Sequence, residues 1–382
     1  MKRKVLLGAI LCELGILIGV IYARDIIPLL IASPLQQEVA QDYIGARALI
    51  NQNEELYPVL ITAYEKMGIS LAAYHRSTHP PTAFLLVVPF ALLDYRSSLI
   101  LWMVAMFACI VLTARALGLA WKMSILAAVL ALAWPPTIWS LGQFTPIWLL
   151  GLVLAYRFRR NPFVSGVNIA LASLPKYLAA PALLYHLWRR KLSVLIGFGA
   201  IWLVALAALL LLRPDAISTY INSNIGNSLD QILRPNNGAL VVVAWRLGGW
   251  PGITTVAVLI LCVLWTGLHN EGPAGWACLV WLGIAFLPIA WVYSLLPLLP
   301  WLVMTIRSSR AISRILAVSA LLLPYMASLP SENHWFVALS IALSGISLAL
   351  ASSRETPLTA AAIKQDLASW RVSIIRRFNL NI

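Results

Sequence analysis

Charge is what this chain has least of. Of its 382 residues only 11% are Asp, Glu, Lys or Arg, against 61% hydrophobic residues and a mean hydropathy of +0.84. Soluble domains carry about a quarter charged residues, so a soluble globular fold is excluded. Cysteine is scarce too: Cys12, Cys109, Cys262 and Cys278 all fall inside apolar runs, without C-x-x-C spacing or a histidine at ligand distance in sequence. That leaves no disulfide framework and no zinc site, only small packing residues. Also missing are a glycine-rich phosphate loop, H-E-x-x-H and G-x-S-x-G, through which soluble enzymes hold phosphates, zinc or an activated serine. The D-x-D expected of metal-dependent nucleotide-sugar chemistry is not there either. Nothing in the sequence calls for a metal or a cofactor.

What is there is a succession of long apolar runs from Val5 almost to the C-terminus. A bilayer admits only helices or closed barrels, because every backbone N–H and C=O must be satisfied internally. These runs are continuous and Leu/Ala-rich, without the alternation of barrel strands. They predict an all-α, polytopic transmembrane protein. The spans read as 5–23, 97–116, 123–139, 145–157, 162–174, 177–189, 192–212, 252–269, 274–291, 293–306, 311–328 and 333–351, about twelve segments. Several fall short of the roughly 17 residues an independent span needs, and these should be broken, packed inside protein or re-entrant. The apolar stretch 82–93, interrupted by Pro89, is too short to span and reads as an interfacial or dipping segment.

Basic residues orient this array. The formal net charge is +14, but no soluble basic face exists to hold nucleic acid. Nineteen of the 28 Lys and Arg fall on alternate loops: the N-terminal Lys2, Arg3 and Lys4, then Arg115, Lys122, Arg157, Arg159, Arg160, Arg189, Arg190, Lys191, Arg307, Arg310 and Arg314, and the tail from Arg354. Cytoplasmic loops hold this excess, so both termini are expected in the cytoplasm. The domain reading is one transmembrane unit over 1–353, with residues 24–96 as a first extracytoplasmic loop, and a basic tail over 354–382 suited to lying on anionic membrane lipids.

The longest polar interval, Gln36 to Pro81, lies in that first loop and holds Glu38, Asp42, Glu54, Glu55, Glu65, His75 and His79. Val39, Tyr43, Ala46 and Ile50 recur at helical spacing around Asp42, predicting an amphipathic helix on the membrane with Asp42 near its polar boundary. Two readings fit Asp42, a solvated surface carboxylate and a reactive one beside the bilayer. Lys176 interrupts an apolar hairpin; a lysine at membrane depth is unfavourable by about 2.5–3.5 kcal/mol unless it snorkels to water or finds an anion. Gln143, after Gly142, either satisfies a helix end or lines the same outer face. His79, ahead of Pro80 and Pro81, either binds phosphate or caps the turn. Asn222, Asn224, Asn227 and Ser228 form a polar outer stretch that fits a substrate groove or an ordinary loop.

These residues together resemble glycosyltransferase family 87. The matching pieces are `DY` at Asp42 and Tyr43, `LYP` at 56–58, `HPP` at 79–81, `GQ` at 142–143, `PK` at 175–176, Asn227-Ser228-Leu229, and Pro288 with Trp291. The resemblance covers about residues 1–310 and implies a GT-C fold. It also implies a multi-pass enzyme of the bacterial cytoplasmic membrane, with its active site on the extracytoplasmic face. Such an enzyme moves mannose or another hexose from a polyprenyl-phosphate donor to a hydroxyl of a glycan or glycolipid acceptor. It implies Asp42 as general base, with Lys176, His79 and Arg234 at the donor phosphate. Tyr43, Gln143, Asn224, Asn227, Trp291 and Tyr293 would then line the substrates. Val292 and Tyr293 stand where many relatives carry histidine, and His79 where tyrosine is common. Two other readings stand beside it, a lipid-linked-sugar flippase and a polysaccharide ligase using a lipid-diphosphate donor. The sequence assigns no oligomeric state.

Overall fold

A computed structural model describes residues 34–67, 76–234, 237–306, 310–327 and 335–352. The expected first span at 5–23, His75 and the tail at 354–382 lie outside the described residues. All regular structure among the described residues is helical. Helix labels below run from the first described helix.

The first loop opens with α1 (Pro34–Ile50) and α2 (Leu60–Lys66), followed by α3 (Pro81–Ala91). Pro80 is extended and Pro81 occupies the first turn of α3, where a missing N–H is harmless and a fixed φ is already helical. The stretch 82–93 is thus a short helix, as its length required.

Then come α4 (Tyr95–Ala116), α5 (Trp121–Ala131), α6 (Pro135–Trp139) with a 3₁₀ turn at Ser140–Gly142, α7 (Thr145–Arg157) and α8 (Pro162–Ser173). A 3₁₀ segment at Tyr177–Ala182 leads into α9 (Leu183–Trp188), then α10 (Ser193–Leu212), α11 (Ala216–Leu233) and α12 (Leu240–His269). The chain continues through α13 (Pro273–Ala285), a 3₁₀ segment at Val292–Leu298, α14 (Leu299–Ile306), α15 (Ala311–Ala327) and α16 (Trp335–Ser352).

Four of the described helices are long and apolar enough to cross a membrane: α4, α10, α12 and α16. The expected span at 123–139 is a broken one, α5 and the Pro135–Gly142 segment meeting at 97°, and counts as a fifth only if the pair is a single span. The other expected spans within the described residues are shorter apolar helices of 10–17 residues, except 177–189, which is a 3₁₀ segment followed by the six residues of α9. The 13 residues of α7 rise only about 20 Å at 1.5 Å per residue, against a hydrocarbon core of about 30 Å. Proline breaks many of these segments, starting α6, α7, α8 and α13 and interrupting both longer 3₁₀ stretches. Within α12 the break falls at Gly249, whose φ of +53° a side chain would disfavour. It lies just ahead of the stretch from 252 that hydropathy marks as a span.

Hydrogen bonds between helix ends reveal how the rods are aligned. At one end the Arg157 guanidinium donates to the Ala116 carbonyl, Arg189 to Asn270, Asn270 to Ser352, and Arg310 to Leu350. At the other, Gln52 donates to Leu212, Arg213 to Ala48 and Glu54, and Thr82 to Leu174. Arg157, Arg189 and Arg310, three of the basic residues, thus bridge helix ends at one end of the array. The central core gathers α7, α8, α13, α14 and α16 around Trp276, Trp281 and Trp301, and a second core joins α1, α3 and α4 around Phe84 and Trp102.

Candidate active site

Asp42 sits in the middle of α1, and the structure corrects its expected position. Val39, Tyr43 and Ala46 are buried as the periodicity required, while Ile50 is exposed. The buried face, however, also takes in Ala40, Gln41, Asp42, Ala48 and Leu49, because α3 and α4 pack on α1 while Leu60 and Tyr64 of α2 cover Ala40. Asp42 is only 2% exposed, so it is enclosed rather than poised at a polar boundary. Gly45, one turn along, permits this: a Cβ there would meet the Phe84 ring of α3 at 2.5 Å.

His79, at the entry to α3, faces it. The His79 Nδ1 to Asp42 Oδ1 distance is 2.6 Å, with both side chains 3% exposed. A carboxylate has no hydrogen to give, so with Asp42 ionised Nδ1 is the donor. Asp42 Oδ2 is buried and has no hydrogen-bond partner among the described residues.

His79 is itself fixed by its neighbours. Its carbonyl accepts from the Tyr57 hydroxyl at 3.0 Å, its N–H donates to Ser77 Oγ at 3.3 Å, and its ring stands edge-on to Phe144 with centroids 5.5 Å apart. Tyr57, of the `LYP` stretch, is completely buried. Burial first, then the nearby Tyr220 and Asp42, push its hydroxyl well above the usual tyrosine range. It therefore stays protonated and donating.

Phe144 brings Gln143 with it. Gln143 is 1% exposed and its Nε2 has no hydrogen-bond partner among the described residues, so that nitrogen satisfies no helix end there. On the other flank, Thr82 Oγ1 donates to the Leu174 carbonyl at 2.6 Å, tying the start of α3 to the turn that carries Lys176. Lys176 is half-buried, its ammonium 5.8 Å from the centre of the Tyr293 ring. Tyr293 is thus a cation–π neighbour of Lys176.

Helix α11 comes over the same region. Tyr220 packs on Tyr57 at 5.7 Å between centroids, and its hydroxyl lies 3.5 Å from the Thr78 carbonyl. Asn224, one turn further, is buried. Tyr43 is buried beside Asp42 but turns its hydroxyl to the Leu93 carbonyl at 2.7 Å, so it anchors α1 to the start of α4. The helical backbone at Asn227 is described but its side chain lies outside the described residues.

Arg234 and Trp291 are not joined to Asp42 by any described contact. Arg234 is half-buried and its carbonyl accepts from Arg246, and the Trp291 N–H donates to Ser294 Oγ. Asn237, which sequence reasoning did not single out, holds this neighbourhood. Its amide donates to the carbonyls of Ile232 and Pro288 and accepts from the N–H groups of Ala239 and Ala290, clamping the end of α11 to the 288–290 turn. The `PNNG` around it reads only as a turn. Glu54 and Glu55 are not simply solvated, being paired with Arg47 and Arg76, whereas Glu65 is exposed.

Asp42 is thus a buried carboxylate with one oxygen held and the other without a hydrogen-bond partner among the described residues, and a carboxylate with a free acceptor position can take a proton from a hydroxyl. The family comparison is consistent with that chemistry: the model of glycosyltransferase family 87 matches residues 78–287. The match spans more than half of the chain. This protein belongs to glycosyltransferase family 87. It is therefore a glycosyltransferase, acting on a sugar donor and an acceptor. The family match takes in His79, Gln143, Lys176, Asn224, Asn227 and Arg234, whereas Asp42 and Tyr43 precede it and Trp291 and Tyr293 follow it. No curated protein and no solved structure matches the chain significantly.

Proposed function

We propose that this glycosyltransferase moves a hexosyl group, mannose or a related sugar, from a polyprenyl-phosphate donor to a hydroxyl of a glycan or glycolipid. It would do so at the extracytoplasmic face of a bacterial cytoplasmic membrane, with inversion. The observation that carries the reading is Asp42: a carboxylate 2% exposed, gripped through Oδ1, with Oδ2 left without a hydrogen-bond partner among the described residues. Leaving a buried polar atom unsatisfied is unfavourable by about 1–3 kcal/mol, and substrate binding would recover it.

The chemistry balances with a single carboxylate. The acceptor O–H proton passes to Asp42 Oδ2 as the acceptor oxygen bonds to the sugar's anomeric carbon. The bond from that carbon to the phosphate oxygen breaks on the opposite side, its electron pair leaving with the lipid phosphate. Glycoside hydrolysis needs a second carboxylic acid to protonate a poor alkoxide leaving group; a phosphate departs as a stabilised anion and does not. Lys176, cationic and half-buried beside Tyr293, would bind that phosphate and stabilise its growing charge. Gln143, with its amide nitrogen unpartnered, would donate to a sugar hydroxyl.

Asp42→Asn preserves shape and removes the base. Assayed as purified full-length protein with polyprenyl-phosphate mannose and an acceptor glycan, it should lose on the order of 10²- to 10⁴-fold in turnover while its thermal stability is kept. Near-wild-type turnover would eliminate Asp42 as the base. Preference for a lipid-diphosphate over a monophosphate donor would reassign the donor class.

A further inference from the structure

His79 is expected from family resemblance to touch donor phosphate, yet its geometry is turned elsewhere. We propose that His79 is a positioning residue for Asp42: its Nδ1–H holds Oδ1 and so leaves Oδ2, which has no hydrogen-bond partner among the described residues, as the oxygen that takes the acceptor proton. This rests on the reading of Asp42 as base.

A carboxylate turns about its last torsion in a broad, two-fold well, so its two oxygens exchange unless something distinguishes them. The 2.6 Å bond from His79 does so. Both partners are 3% exposed, and with little water to compete for the N–H, such a bond is stronger than at a surface.

His79 is held in place by three contacts, two on its backbone and one on its ring. Tyr57 donates to the His79 carbonyl, Ser77 accepts from its N–H, and Phe144 meets its ring edge. Pro80 further confines the His79 backbone to extended conformations. The same geometry argues against a phosphate contact at this nitrogen. Nδ1–H is committed to Asp42, and a phosphate brought to it would approach a carboxylate oxygen 2.6 Å away, like charge against like charge. The phosphate role then falls to Lys176, whose turn is tied to the same segment through Thr82 and Leu174.

Three variants of the full-length protein test the assignment, each assayed with polyprenyl-phosphate mannose over a range of donor concentrations. His79→Phe keeps a ring against Phe144 but has no donor. His79→Asn places an amide N–H close to where Nδ1–H stood, and His79→Gln carries its amide one bond further out. His79→Phe should lower kcat by about 10- to 100-fold, the range for removing a group that orients another, with donor KM unchanged. His79→Asn should recover most of that loss, and His79→Gln should not. In the double variant Asp42→Asn with His79→Phe, turnover should match Asp42→Asn alone, since the two act as a unit.

A raised donor KM with kcat unchanged in His79→Phe would overturn the proposal in favour of a phosphate ligand. Equal losses in all three variants, accompanied by a lower unfolding temperature, would overturn it in favour of a purely structural role. Wild-type turnover in His79→Phe with Asp42→Asn inactive would remove the pairing and leave the base intact. Turnover retained in Asp42→Asn would instead remove the base reading itself.

Discussion

Both ends of the helix array use arginines to hold backbone carbonyls, Arg213 on Ala48 and Glu54 at one end and three others at the basic end, but only one end encloses a carboxylate among the described residues. At the basic end, arginines close helix C-termini: Arg157 reaches the last residue of α4, Arg189 donates to Tyr185 and Asn270, and Arg310 donates to Leu350. Cations are favourable there because the terminal carbonyls lack intrahelical partners and carry the negative end of the helix dipole. At the other end, Asp42 and Gln143 are enclosed and each keeps an atom without a hydrogen-bond partner among the described residues. The arginines satisfy backbone carbonyls, although Arg189 Nε and His186 Nδ1 at that end also lack a hydrogen-bond partner among the described residues; in the proposed mechanism the unpartnered atoms of Asp42 and Gln143 are the ones that substrate would complete. If the proposed mechanism holds, this difference separates polar residues that hold the molecule together from those that react, although both kinds interrupt the same apolar sequence.

The largest effect that tests this contrast concerns Asp42. If its enclosure is a functional arrangement that opposes stability, Asp42→Asn should abolish transfer and leave the unfolding temperature unchanged or raised. Neutralising a buried carboxylate removes the unfavourable desolvation that, among the described residues, a single hydrogen bond now offsets. A thermal-shift measurement in detergent beside the transfer assay checks both halves. A variant destabilised by several degrees would place Asp42 with the arginines as a structural group.

Next comes Lys176→Ala, expected to raise donor KM by roughly 10-fold, and more in kcat/KM if the phosphate charge grows in the transition state. The neighbouring Tyr293→Phe keeps the ring that faces the ammonium at 5.8 Å and should change donor KM by no more than about twofold. Smaller still is Gly45→Ala. Its Cβ would press on Phe84, and overpacking of this kind is destabilising by about 1–3 kcal/mol. It should lower both the unfolding temperature and kcat, because the same helix pair sets Asp42 against His79.

Composition and hydropathy made much of this legible. The helical class follows from long apolar runs, and α7, at Thr145–Arg157, was readable to the residue because `TP` opens it and an arginine closes it. The broken span at 123–139 was harder, since only a proline pair marks the place where the chain bends by 97°. For the site, residue types were readable and burial was not. The periodicity of α1 shows one apolar face; that α3 and α4 cover the flank carrying Asp42 depends on Gly45 meeting Phe84, a contact between distant stretches. Likewise `HPP` shows an extended entry to a helix, but not that the histidine turns toward a carboxylate 37 positions earlier. Asn237 was invisible for the same reason, since all that it clamps across to Pro288 and Ala290 is backbone.

The smallest effect on catalysis should come from the opposite end, and it tests the contrast from the other side. Arg189 is 12% exposed in its side chain, donates to two carbonyls on different segments, stacks on Tyr185 at 3.9 Å and lies 3.5 Å from Glu271. Losing hydrogen bonds from a charged donor in such a setting is destabilising by about 1.5–3 kcal/mol. Arg189→Gln should therefore lower the unfolding temperature, while the protein that remains folded transfers sugar with kcat and donor KM close to wild type. The Tyr185 backbone it caps belongs to α9, the short helix that follows the Lys176 turn through the 3₁₀ segment. If loosening that cap raised donor KM as Lys176→Ala does, the two ends would be coupled through this short rod. The division between structural arginines and reactive carboxylate would then be one of distance rather than of role.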